Sequence, residues 1–503
     1  MEITNPMQRD RITIAILALG GEGGGVLAEW IREVARANGY VAQGTSIAGV
    51  AQRTGSTVYY IELFREGAGG ANRPDPVLAT MPVPGDVDIV IASELMETGR
   101  AILRGFVTED RTTLIGSTHR VYAISEKSAM GDGTGAAQRI LDAAERRSKR
   151  FIGFDMAAAA TGAGSVISSV MFGALAGSEA LPFPRETFEG AIRHGGKAIE
   201  PNLKGFDLGF RRAGEGDPVP TEPPLNIEPT TEAGRAFKAR IEREMPEPAQ
   251  AFTIEGVRRL MDYQGATYAG LYLDRLAPLV ALDDGQDDFA LSREAARYLA
   301  LWMAYEDTIR VAELKTRGTR SARVENEVRL GAGQVMDVTE YMHPRLREVC
   351  DVMPAGLGRF VMNSPAMRRM LEPFFTKGRH VATTSLRWHL ALRIVAALRA
   401  IRPSTLRYHE EQERIEGWLG LAVTFAATDR PAAVELLACQ QLLKGYSDTF
   451  DRGLANFTAI MGEAQLLVGR ADAAATLRTL REAALSDENG YALSCVLSQD
   501  KAA

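Results

Sequence analysis

Short apolar runs separated by glycine-rich turns fill residues 1 to about 212, and helix-period stripes fill most of the remaining chain. The runs Ile12–Leu19, Thr57–Leu63, Val87–Ala92 and Arg111–Ile115 each predict a strand. Between the first two, Val26–Asn38 places apolar residues at 26, 27, 30, 31 and 34, the spacing of one helix face. Strand, tight glycine-rich turn, helix and strand in succession predict an α/β domain with a largely buried sheet. Over 213–248 the periodicity stops and Pro and Glu dominate, which predicts a linker or surface-wrapping segment. From 249 to 503 the pattern is helical: Leu386, Leu390, Ile394, Leu398 and Ile401 recur at three- or four-residue steps until Pro403 stops the run. Pro431–Leu443, Leu454–Leu467 and Ala471–Leu485 behave alike, and no fixed-period repeat supports a solenoid. The expected architecture is an α/β domain over 1–212, a Pro/Glu-rich linker over 213–248 and a mainly α-helical domain over 249–503.

Composition narrows the classes of function. A chain of 503 residues with 46% hydrophobic and 24% charged residues is an ordinary globular protein of two to four domains. Its net charge of −6 gives no reason to expect a nucleic-acid or anionic-membrane partner. No uninterrupted apolar run of about 18 residues predicts a membrane span, and the opening MEITNPMQRD lacks the basic-then-apolar pattern of a secretory signal. Cys350, Cys439 and Cys495 are odd in number and far apart, which fits a reducing cytoplasm and excludes a disulfide framework. Three thiolates are also one short of the set that holds an iron–sulfur cluster.

The most informative local feature is Gly20-Gly21-Glu22-Gly23-Gly24-Gly25, directly between the first strand and the first helix. Glycines there let the backbone take positive φ and approach a ligand closely. A helix N-terminus behind such a loop suits a phosphate or carboxylate; a tight strand–helix turn without a ligand explains the same residues. The dinucleotide fingerprint fails, because Val26 stands where its last glycine belongs and Tyr40–Thr45 offers no acid for a ribose hydroxyl. No Gly-Lys-Ser/Thr comes after the turn, so the loop is not a phosphate-binding P-loop either. A second loop, Thr45–Gly55, carries Ser46, Gly49, Gln52 and Arg53 before the strand at Thr57. Arg53 between two glycines is suited to bidentate contact with an anion or a partner's carboxylate, or is a plain surface arginine in a turn.

Taken together, GGEGGGVLAEWI and GTSIAGVAQRTGSTVYYIEL resemble the gamma-type domain of 2-oxoacid:ferredoxin oxidoreductases. Ile167–Ala176 and Asn202–Phe210 fit as well, and Met261–Tyr272, Glu340–Glu348, Lys377–Leu392 and Lys444–Phe457 resemble a helical extension. The pattern is similar to the long bacterial form of the beta subunits acting on indolepyruvate and other arylpyruvates. Glu22 departs from it, since many relatives carry Gln or Asp there. The resemblance implies a subunit rather than a complete enzyme. Its family converts a 2-oxoacid and coenzyme A to an acyl-CoA, CO2 and reduced ferredoxin. Thiamine diphosphate with Mg2+ and [4Fe-4S] clusters lie on a larger alpha subunit, within an (alpha-beta)2 hetero-oligomer in the cytoplasm. The cofactor- or partner-facing residues it implies are Gly20, Gly21, Glu22, Gly23, Gly24, Gly25, Ser46, Gly49, Gln52, Arg53 and Asn202, with no metal ligands and no assigned catalytic residue.

Other chemistry finds little support. Gly131-Asp132-Gly133 imitates the start of a thiamine–Mg2+ motif, but positions 150–165 hold no Asn to complete the ligand set. The six histidines show no zinc spacing, and no G-x-S-x-G elbow is present. Between Ala366 and Arg407, Arg368, Arg369, Lys377, Arg379, Arg387, Arg393, Arg399, Arg402 and Arg407 face only Glu372 in sequence. That cluster reads as a solvated or inter-subunit face, or as a dock for coenzyme A phosphates or an acidic ferredoxin. Two alternatives remain: an NAD(P)-dependent α/β oxidoreductase acting alone, and a non-catalytic scaffold subunit.

Overall fold

Strand β1, Arg11–Leu19, is apolar on both faces and lies inside a six-stranded sheet. The computed structural model describes residues 11–47, 56–66, 78–122, 126, 137–215, 228–328, 333–445, 447–487 and 489–500. Helix α1, Gly24–Ala37, follows β1 and leads into β2, Tyr40–Ile47. Then come β3, Ser56–Arg65; β4, Ile89–Ala92; α2, Leu95–Leu103; β5, Thr113–Ser117; and β6, Arg150–Phe154. Strand order is β2-β3-β1-β4-β5-β6. β1, β4, β5 and β6 run parallel, and β3 is antiparallel to both β1 and β2. Alternate residues of β1 serve two cores, as strand geometry requires. Ile12, Ile14, Ile16 and Ala18 pack with Leu27, Trp30, Ile31 and Val34 of α1. Ala15 and Leu17 pack on the other face with Val90, Ala101 and Leu114.

Two expectations change here. Thr45–Ile47, expected in a loop, extend β2 and pair with Val58–Tyr60. More consequentially, the strand after α1 is half of an antiparallel ribbon, so the parallel neighbour of β1 is β4. An acid in the ribose-binding position would therefore follow β4 rather than lie in Tyr40–Thr45.

Helices Ile167–Gly177 and Ile199–Glu215 pack backbone against backbone. A Cβ on Gly173 would collide with the carbonyl of Phe206, and one on Gly209 with that of Val170. This contact accounts for the small residues in ISSVMFGALA and NLKGFDLGF.

The chain divides at Leu225/Asn226 into two units. The expected linker at 213–248 needs correction. Residues 213–215 finish the helix begun at Ile199, and Glu232–Glu244 is a helix of its own. Thr231 Oγ1 caps it by accepting from Gly234 N–H at 3.1 Å, and ion pairs such as Arg240–Glu244 at 2.7 Å support it. Four-residue charge spacing sustains a helix whose apolar stripe is too thin to read from sequence.

The second unit is mainly helical. Glu247–Tyr263, Ala266–Val280, Ala290–Met303, Leu406–Ala426, Arg430–Ala438, Ser447–Leu467 and Ala473–Ser486 enclose a core containing Trp302, Trp418 and Phe425. A short antiparallel ribbon, β7 (Thr339–Met342) with β8 (Arg379–Ala382), sits among the helices. The basic cluster separates into two groups. Arg402 is completely buried, with Nε 2.8 Å from Asp307 Oδ2 and its guanidinium 4.2 Å from the Tyr263 ring centroid. Arg407 pairs with Glu411 at 2.9 Å, and Arg399 lies 3.8 Å from Glu313. The remaining basic residues stay at the surface.

Candidate functional site

Every parallel strand ends on one side of the sheet, and Leu19 at the end of β1 pairs with Ser56 at the start of β3. The glycine loop therefore emerges beside the end of β2 at Ile47 and the start of β3. Gly49, Gln52 and Arg53 lie outside the described residues. Such strand ends are where open α/β sheets gather functional groups.

The six-residue loop divides by task. Gly20 and Gly21 are exposed, nothing lies within 4 Å of where a Cβ would stand, and Gly21 has φ 92°. Gly23 caps α1 in the left-handed region, at φ 74°, and a Cβ there would lie 2.8 Å from Ser168 Oγ. On Gly24 a Cβ would lie 2.6 Å from both Ala18 Cβ and Tyr59 Cε2. Gly23 and Gly24 thus allow α1 to sit down on the sheet, while Gly20 and Gly21 leave backbone accessible. Gly25 is exposed, with the Tyr59 hydroxyl 3.6 Å from its would-be Cβ.

Glu22 turns inward. Ser93 Oγ, at the end of β4, donates to its Oε2 while accepting from Leu19 N–H at 3.1 Å. His119 Nε2 lies 3.6 Å from Glu22 Oε1, and His119 Nδ1 shares a 2.7 Å hydrogen bond with Ser117 Oγ. Ser117 Oγ in turn accepts from Met156 N–H at 3.0 Å. One polar chain therefore joins the ends of β1, β4, β5 and β6. Two buried acids adjoin it. Glu94 accepts from Glu97 N–H at 3.1 Å and from Val121 N–H at 3.4 Å, and burial raises its carboxyl above the usual range. Burial raises Glu97 likewise, with the Glu22 charge adding to the effect, although Glu97 pairs with Arg100.

This arrangement orients groups and carries negative charge. Glu22 is the partly exposed carboxylate beside the loop, with Glu94 and Glu97 buried, so the described side chains do not build an anion pocket. Glu94 stands at the end of the strand beside β1, where a ribose-binding acid would be, but its carboxylate is buried and engaged by backbone N–H groups. Ser117 is fully buried, so the Ser117–His119–Glu22 chain presents no nucleophile to a substrate. Among the described residues no group of three or more His, Cys, Asp or Glu could hold a metal ion, and no single helix is long and apolar enough to cross a membrane.

Two other expected residues, Ser46 and Asn202, are described. Ser46 is exposed on the edge strand β2. Asn202 is buried between helices, where its Oδ1 accepts from Ser165 Oγ at 3.2 Å and its Nδ2 donates to Lys197 O at 3.1 Å. It ties a helix pair together and offers no free amide at the loop. Sequence reasoning missed Ser93, Glu94, Ser117 and His119. Their signal was a Ser directly after or at the end of each apolar run, in IVIAS and LIGS.

With this geometry in hand, similarity to known proteins becomes informative. Residues 13–212 match the family model described as pyruvate ferredoxin/flavodoxin oxidoreductase, and residues 249–463 match a family of unknown function, DUF6537. The first unit is thus similar to the gamma-type domains of 2-oxoacid:ferredoxin oxidoreductases, and the chain is beta-subunit-like. A particular relative is the indolepyruvate oxidoreductase subunit IorB of Pyrococcus horikoshii, 26% identical over 209 residues, which are 40% of this chain and 96% of that protein. Among solved structures, the pyruvate oxidoreductase subunit PORC of Thermotoga maritima is 16% identical with a TM-score of 0.29, covering 40% of this chain and 97% of that one. The 2-oxoglutarate:ferredoxin oxidoreductase of Magnetococcus marinus is 14% identical with a TM-score of 0.30, over 43% of this chain and 34% of that one.

Proposed function

We propose that the chain is the beta subunit of a thiamine diphosphate-dependent 2-oxoacid:ferredoxin oxidoreductase acting on arylpyruvates such as indolepyruvate and phenylpyruvate. The products are an aryl-acetyl-CoA, CO2 and reduced ferredoxin. The observation that carries this reading is the match of residues 13–212, together with a curated relative aligned over nearly its whole length.

The cofactors belong to a larger alpha subunit in an (alpha-beta)2 cytoplasmic assembly. Bound thiamine diphosphate supplies the carbanion chemistry of decarboxylation, and iron–sulfur clusters take the two electrons singly. This chain's residues do not fit either group. Its three cysteines cannot make a four-thiolate site, Cys350 and Cys439 are buried, and the described strand ends are lined by carboxylates. Gly131-Asp132-Gly133 lies outside the described residues.

What this chain contributes is a shaped face. Gly20 and Gly21 expose backbone for close approach, and Ser93 and His119 hold Glu22 away from that opening. Arg53, between β2 and β3 in sequence, is assigned to contact with either the coenzyme A phosphates or a carboxylate of the larger subunit.

Cofactor analysis tests the reading. Purified alone, the chain should hold no stoichiometric iron or thiamine; co-purified with the larger subunit, the complex should hold both. A brown, iron-loaded chain in isolation would overturn the assignment of cofactors to the partner.

A further inference from the structure

Helix Leu386–Ala397 carries the clearest apolar periodicity in the second half of the sequence, yet none of its residues is buried. It packs along helix Thr308–Lys315, while Leu386, Leu390 and Ile394 remain 83%, 57% and 61% exposed. Residues four apart lie in one row on a helix, so these three form a continuous apolar ridge. Helix Pro365–Leu371 and the turn Glu372–Phe375 also bury nothing, and Phe374 is 68% exposed. Monomeric proteins rarely leave a row of three large apolar side chains such as Leu386, Leu390 and Ile394 in water.

The ridge is bordered by positive charge. Arg387 and Arg393 flank it on the same helix, and among the described residues neither has a carboxylate within ion-pair distance. Elsewhere in the same unit, Arg368, paired with Glu372 at 3.4 Å, and Arg369 line a cleft of about 640 Å3 with Met362, Pro365 and Pro373. Arg387 and Arg393 are thus residues of the 366–407 cluster that the core does not neutralise.

We infer that this surface is the seat of a permanent partner subunit whose docking face is a helix with an apolar centre and a carboxylate rim. Charge and shape select that occupant. A second copy in an isologous contact would set Arg387 and Arg393 near their own equivalents. A chain of net charge −6 has no general attraction to an anionic bilayer. A transient acidic carrier would suit a more polar patch than one centred on Leu386, Leu390 and Ile394. Ridge-to-groove packing of a partner helix uses both the apolar ridge and its flanking arginines. The inference deepens the proposed function, on which it rests for the existence of a larger subunit, and it gives the helical unit a task separate from the sheet-end loops.

The test uses full-length chain, the purified larger subunit and two double variants, Leu390→Asp/Ile394→Asp and Arg387→Glu/Arg393→Glu. Both change exposed side chains, and unchanged thermal unfolding checks that each variant is folded. The first variant should weaken assembly at least about 30-fold by titration. The second should weaken it about 10-fold and flatten its salt dependence. Wild-type assembly with both variants assembling normally would overturn this inference and leave the proposed function standing. Failure of the wild-type chain to bind the larger subunit would overturn both. Variant-sensitive binding to phosphatidylserine vesicles, or variant-sensitive self-association by light scattering, with the hetero-complex unaffected, would reassign the surface to a membrane or to a second copy.

Discussion

Replacing Gly24 by alanine should destabilise the first unit rather than disable a ligand site. The added Cβ would lie 2.6 Å from Ala18 Cβ and 2.6 Å from Tyr59 Cε2. Tyr59 can tilt, but Ala18 is fixed on the central strand β1, so α1 must lift away from the sheet. Overpacking of this kind costs about 1–3 kcal/mol. Better helix propensity returns at most about 1 kcal/mol, leaving a net loss of about 1–2 kcal/mol. Gly23→Ala adds a left-handed φ of 74° to contact with Ser168 Oγ at 2.8 Å, and should lose about 2 kcal/mol. Gly20→Ala meets nothing within 4 Å and should stay within about 0.5 kcal/mol. Hydrogen exchange of peptides spanning residues 11–47, with urea unfolding of the full chain, measures the series. Equal stability of all three variants would refute the division of the loop. So would a stable Gly24→Ala chain whose complex has lost turnover.

Three further outcomes are expected. Arg402→Ala should destabilise the helical unit by about 3–5 kcal/mol in urea unfolding, because it leaves Asp307 buried without its cation. Asp351 is pushed up to about 6 by burial, an effect that Arg347 and Arg407 only partly oppose against the like charges of Glu410 and Glu411. The unfolded chain then loses the proton first. This group's contribution is most favourable near pH 4 and below, and weakens by about 2–3 kcal/mol as pH rises to 6. In unfolding at pH 4, 5 and 6, Asp351→Asn should cancel that slope relative to wild type, and parallel curves would refute it. Arg53→Lys should weaken one step of the complex by about 1.5–3 kcal/mol, the scale of a charged hydrogen bond. The loss appears in subunit dissociation if Arg53 holds the partner, in apparent coenzyme A affinity if it holds phosphate, and in neither if it is only a turn residue.

Local patterns carried much of the fold. Apolar runs gave β1, β3, β4 and β5 to within a few residues, since buried strands impose their composition directly. The direction of β2 was not legible: a ribbon and a βαβ unit share the same strand–helix–strand order, and only long-range pairing separates them. Helix Glu232–Glu244 escaped because charge spacing and a cap, not an apolar stripe, sustain it. Within the site, the five glycines of the loop looked equivalent in sequence. Their tasks differ because Ala18, Tyr59 and Ser168 lie against Gly23 and Gly24, and nothing lies against Gly20 or Gly21. The polar chain through Ser93, Ser117 and His119 was invisible because it joins residues from four strand ends. The ridge at Leu386, Leu390 and Ile394 misled in the opposite sense. Its periodicity is that of a core helix, but Leu386, Leu390 and Ile394 are exposed.

Reconstitution of turnover tests the central claim most directly. The purified chain and the larger subunit are assayed separately and together for ferredoxin reduction, with indolepyruvate, phenylpyruvate, pyruvate and 2-oxoglutarate, each with and without coenzyme A. The account predicts no reduction by this chain alone and coenzyme A-dependent reduction by the mixture, fastest with the arylpyruvates. Reduction by the isolated chain, or a fully assembled, cofactor-loaded mixture that prefers pyruvate or 2-oxoglutarate, would contradict it.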